Sequence, residues 1–90
     1  MKIGDLKKSL NDKVPNVIIE ENNTTVPVTE QSWRTIAQEM GIASGLQSMC
    51  QFLGELSNAG VSIRDDGRTH YATFSDLAFA MVVPELMDAE

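Results

Sequence analysis

Ile3, Leu6, Leu10 and Val14 recur at spacings of three, four and four, which places them on one face of a first helix. Lys7, Lys8 and Lys13 occupy the other side, and Pro15 stops the helix. Residues 16–28 have no helical period. Val17, Ile18 and Ile19 favour extended backbone, Asn22–Asn23 signals a turn, and Val26 and Val28 alternate as a short strand would. Pro27 cannot donate to a ladder, so this strand is expected to be an edge or very short.

A helical period returns after Thr29, a good N-cap. Glu30 suits the positive end, and Trp33, Ile36, Ala37 and Met40 form the apolar stripe. Trp33, the single tryptophan, is expected to be buried there. Gly41 is read as a left-handed terminal cap. After Ile42 and Ala43, Ser44 is expected to cap a further helix whose stripe is Leu46, Met49, Cys50, Leu53 and Leu56, with Phe52 on a second flank. Asn58, Ala59 and Gly60 close it. The period then changes to two over residues 61–74. Asp66–Gly67 reads as a two-residue hairpin turn, which sets Ile63 opposite His70 and Val61 opposite Ala72. Ser75–Asp76 caps a last helix whose body, residues 77–83, is apolar almost all round before Pro84.

The chain has 90 residues, enough for one domain that buries about 60–65% of its unfolded surface. Its composition, 42% hydrophobic and 22% charged, is that of a folded globular protein. The longest apolar run is far shorter than the roughly 20 residues of a membrane span. Charges in MKIGDLKKSL leave no signal-peptide core. Cys50, the one cysteine, makes no internal disulfide, so a reducing, cytoplasmic setting is expected. The net charge of −6 argues against nucleic-acid packaging and against binding to an anionic membrane.

Candidate chemistry is sparse. His70 is the only histidine, and no Cys-x-x-Cys or His-x-x-x-His spacing offers a metal site. Cys50, flanked by Met49, Phe52 and Leu53, reads as a small buried thiol rather than a nucleophile. His70 reads as a surface side chain or a groove contact. The six glycines are isolated, so no phosphate-cradling loop is present. The adjacent carboxylates Glu20–Glu21 and Asp65–Asp66 fall in polar or turn segments. Neither an enzyme nor a cofactor or metal is expected.

Helix, strand, helix, tight turn, helix, hairpin, helix is an order that resembles the α+β winged helix-turn-helix domains of small bacterial and phage regulators. The residues that carry the resemblance are residues 33–42 (WRTIAQEMGI), residues 46–60 (LQSMCQFLGELSNAG) and the hairpin that follows. Ala37 is small where two helices would cross, Gly41 allows the sharp turn, and Ile42 plugs the gap. The resemblance implies one domain over residues 1–90: a helix-turn-helix and wing over residues 26–74, then a C-terminal helix over residues 75–88 for dimerisation or partner binding. It implies a recognition helix over residues 44–59, with base contacts at Ser44, Gln47, Ser48 and Gln51. Phosphate contacts fall to Arg34, Arg64 and Arg68, with Lys7–Lys8 as outliers.

Charge departs from that family. Residues 44–60 contain no Lys or Arg, and Glu55 is their only charge. Three arginines supply about half of a footprint of roughly 6–10 phosphate contacts, so duplex binding requires a homodimer. Two readings follow: a DNA-binding transcriptional regulator acting as a dimer, or an acidic winged-helix protein-interaction module, such as a phage accessory or inhibitor protein or a subunit of a larger machine. In the second, Leu77, Met81 and Val82 face the core, and Phe79, Val83 and Leu86 are left for a partner.

Overall fold

A computed structural model describes residues 2–83. Its helices are α1 (Ile3–Lys13), α2 (Trp33–Glu39), α3 (Met49–Asn58) and α4 (Asp76–Val82); its strands are β1 (Ile18–Ile19), β2 (Asn23–Val28), β3 (Ser62–Asp65) and β4 (His70–Ser75). The domain is mixed α+β, with one antiparallel sheet in the order β1-β2-β4-β3.

The sheet's two faces follow from its register. Val26, Ala72 and Ile63 form one cross-strand row, and Thr24 with Phe74 forms the next. Val26, Ala72 and Phe74 are buried in the same cluster as Leu6, Leu10, Ile36, Phe52 and Phe79. The alternate rows, Pro27–Tyr71–Arg64 and Thr25–Thr73–Ser62, lie on the opposite face. There Thr25 Oγ1 and Thr73 Oγ1 meet at 3.1 Å. Contrary to the edge expected from Pro27, β2 is an interior strand of six residues. The sheet tolerates the proline because β1 pairs only Thr24 and Thr25, leaving Pro27 without a β1 partner. The Pro27 carbonyl instead accepts the Ser32 hydroxyl at 3.1 Å.

Local signals set the helix ends. The N-cap of α2 is Ser32 rather than the expected Thr29. Ser32 N–H donates to Thr29 Oγ1 at 3.1 Å while Thr29 N–H donates to Ser32 Oγ at 2.9 Å, so the Thr29 bonds close the turn that leads into the helix instead of starting it. At the other end Gly41 has φ 76°, and Ile42 N–H reaches back to the Ala37 carbonyl at 3.0 Å. Gly60, at φ 93°, ends α3 in the same way, with Val61 N–H donating to the Leu56 carbonyl. Both are Schellman closures, which a side chain other than glycine would strain. Trp33 is buried against Phe52, their ring centroids 6.0 Å apart.

Three further expectations are corrected. The hairpin pairs Asp65 with His70 and Ile63 with Ala72, so its loop holds four residues rather than Asp66–Gly67 alone. Asp66 draws the loop closed by accepting the N–H groups of Arg68 and Thr69, each at 2.9 Å. The slip is two residues, so every side chain keeps its face. Second, α3 is capped by Ser48, not Ser44. Phe52 and Leu56 take its core positions, and Cys50 is exposed rather than buried. At 100° per residue Cys50 lies about 200° around the helix from Phe52, and burying the larger aromatic turns the thiol outward.

Third, α4 is rotated from the expected setting. Phe79 and Val83 are buried, whereas Leu77 is 74% and Met81 68% exposed. Phe79 stacks on Phe74 with centroids 4.6 Å apart and planes 3° from parallel; that contact orients a helix whose all-round apolar pattern leaves its rotation open. Phe79 and Val83 are therefore core residues and not a partner surface; Leu86 lies outside the described residues. Lys7 Nζ, 3.0 Å from Asp76 Oδ1, ties α1 to the start of α4. No helix among the described residues is long and apolar enough to cross a membrane.

Candidate functional site

The start of α3 gathers three of the four side chains expected as base contacts, Gln47, Ser48 and Gln51. Ser48 Oγ accepts the Gln51 N–H at 3.2 Å, and Gln51 Oε1 accepts the Gln47 N–H at 2.7 Å. One otherwise orphaned donor of the helix start, the Gln51 N–H, and the N–H of Gln47 just before the cap are thereby held by side chains. The bonds also fix where Gln47, Ser48 and Gln51 stand, and all three are exposed. The Gln51 carbonyl already accepts one bond, so a bidentate grip on adenine would have to share or break it.

Beside this turn is a hollow of about 470 Å³ between α2, α3 and the start of β4. Arg34, Gln47 and Ser48 line it, together with His70. The Arg34 guanidinium lies 4.6 Å from the Trp33 ring centroid, which holds a cation at the rim through its attraction to the ring face. Among the described residues it has no carboxylate within 4.0 Å. His70 Nδ1 lies 3.8 Å from Asp65 Oδ2 across the β3–β4 pair.

Not every expected contact joins this group. Ser44 is exposed in the turn before α3 and lines a separate hollow of about 450 Å³ with Ile42 and Met81. Arg64 stands on the outer face of the sheet, its guanidinium carbon 5.4 Å from the Tyr71 ring centroid. Arg68 is exposed in the hairpin loop. The outward side of α3 also includes Cys50, Gly54, Ser57 and Asn58, all exposed. The sequence places Cys50 in the apolar stripe and confines the expected base contacts to residues 44–51, so none of the four is expected there. The Ser-x-x-Gln capping pattern occurs at both residues 44–47 and residues 48–51, so it does not single out the true start.

Two carboxylates are held below their ordinary range. Hydrogen bonds from Lys13 and then Ser9 depress Glu39 from 4.5; Lys13 Nζ lies 2.7 Å from Glu39 Oε2, and the Ser9 hydroxyl donates to Oε1. This bridge joins α1 to the end of α2. Asp66 is depressed from 3.8 by the Thr69 and Arg68 backbone donors of the loop. Neither sits among the hollow's lining residues. Among the described residues no group of three His, Cys, Asp or Glu is placed to hold a metal.

No protein-family model matches the chain, and neither a curated protein nor a solved structure matches it. Any functional reading therefore rests on the residues and geometry of this molecule.

Proposed function

We propose that the domain is a winged helix-turn-helix and that it binds duplex DNA as a homodimeric regulator. The reading is supported by the element order, by β2, β4 and β3 lying side by side in that order, and above all by one feature. The outward side of α3 is polar and almost uncharged, begins with Gln47, Ser48 and Gln51, and has the carboxylate-free Arg34 beside it. Such a helix enters a major groove without opposing the phosphates, and amide and hydroxyl side chains match base edges. Arg34, Arg64 and Arg68 supply the attraction to phosphate; two copies bring six such charges, within the usual footprint of roughly 6–10. The test is the double variant Arg64→Ala/Arg68→Ala in a duplex titration. Loss of binding supports the wing as a phosphate grip, and unchanged affinity removes the wing from the interface.

A second reading has its own observation. Leu77 and Met81, one turn apart on α4, are large, apolar and exposed. Such a pair suits a protein contact, either between two copies of the chain or with a subunit of a larger machine. Leu77→Ser/Met81→Ser separates these uses: loss of the dimer together with DNA binding assigns the pair to self-association. A monomeric wild type that binds no duplex favours the interaction-module reading.

A further inference from the structure

The lining of the hollow beside α3 mixes apolar groups with donors. Trp33, Met49 and Leu53 are its apolar part. The donors are the Arg34 guanidinium, which lies over the Trp33 ring, the Gln47 amide, the Ser48 hydroxyl and the His70 ring. Several of these donors are uncommitted. Ser48 Oγ accepts from Gln51, which leaves its proton available. Arg34 has no ion-pair partner among the described residues. His70 Nδ1 faces Asp65, and Nε2 has no partner among the described residues. Glu30 is the one carboxylate in the lining.

We propose that this hollow is a seat for a phosphoryl oxyanion, with His70 and Arg34 as its principal donors. The assignment extends the DNA-binding reading and rests on it for the source of the phosphoryl group. Arg presents several donors in a fork that matches phosphate oxygens, and a hydrogen bond to an ionised acceptor is roughly twice as strong as a neutral one. The apolar lining residues take the sugar carbons that flank each phosphate of a nucleic-acid strand. Glu30 opposes a second negative charge, so a singly charged phosphodiester is favoured over a dianionic free phosphate. His70 enters from the base of the hairpin and Gln47 from the start of α3, so one seated phosphate would fix the wing and α3 on the same strand.

Trp33 is the only tryptophan and belongs to the seat, so its fluorescence reports occupancy directly. Three probes distinguish the sources: a 20-base-pair duplex, the dinucleotide TpT as a bare diester, and inorganic phosphate. Duplex and TpT are expected to change Trp33 emission saturably, with TpT binding more tightly than phosphate at equal ionic strength. Arg34→Gln should weaken both duplex and TpT about tenfold and His70→Ala several-fold, as loss of a charge-assisted bond does. Both positions lie outside the buried core, and an unchanged melting temperature shows that the variants fold. Wild-type duplex affinity in both variants overturns the seat and leaves DNA binding standing. TpT binding that both variants lose, with no duplex binding, upholds the seat and overturns the duplex reading. No saturable response to any probe overturns both.

Discussion

Two helices of this domain start on the same device and serve different ends. Ser75 caps α4 by accepting the Ala78 N–H at 3.0 Å, and Ser48 caps α3 by accepting the Gln51 N–H at 3.2 Å. Two neighbours of Ser75 are tied inward: Phe74 stacks on Phe79, and Asp76 meets Lys7. Around Ser48 the tie is local, with Gln51 holding the Gln47 amide and no buried residue between Gly41 and Gln51. Capping fixes a helix start in both places; what packs against that start decides whether it holds the core or presents side chains to a ligand. The start of α4 is thus tied into the core, and recognition is proposed at the exposed start of α3.

The largest expected effect breaks the tie at the start of α4. Phe79→Ala removes a fully buried, stacked ring and should destabilise by about 3–5 kcal/mol, read by denaturant unfolding; a loss below about 1 kcal/mol would mean the stack does not orient α4. Next, Ser75→Ala and Ser48→Ala should each lower stability by about 1 kcal/mol. Only Ser48→Ala should also weaken duplex binding; equal effects of the two caps on binding would erase the contrast. A smaller effect belongs to the Glu39 bridge. Its depressed carboxylate stabilises the fold above the ordinary carboxylate range and loses that contribution as pH falls through its folded value. Glu39→Gln should therefore destabilise at pH 7 by less than about 1 kcal/mol, with wild type and variant converging in acid. Smallest of all, Leu77→Ser/Met81→Ser should leave monomer stability within about 0.5 kcal/mol, because both side chains are already in solvent.

The same contrast explains what was legible in the sequence. Signals that act within a few residues read correctly: Gly41 as a left-handed closure, Gly60 at the end of α3, Ser75 ahead of α4. Apolar residues confined to one face also read correctly, as Leu6 and Leu10 do in α1 and Trp33 and Ile36 in α2. Failures came where tertiary contact chooses among equal local options. Every turn of α4 is apolar, so only the Phe74 ring selects Phe79 over Leu77 or Met81 as the inward residue. Ser44 and Ser48 are equally good caps in isolation, and the burial of Phe52 sets the helix that Ser48 begins. The hairpin slipped by two residues because a two-residue period does not distinguish registers two apart. Arg34, Gln47 and Ser48 were all named as contacts from sequence, but their convergence with His70 depends on β4 arriving beside α3.

The most direct test of the account is a titration of the purified protein with genomic and random duplex DNA at about 50 and 200 mM salt, with its mass measured in the same buffers. Six arginines from two copies imply a log–log salt slope near −5 and an affinity loss of about a thousandfold between the two conditions. A dimer that binds and weakens in this way is the predicted result. A protein that binds no duplex at the lower salt would contradict the account.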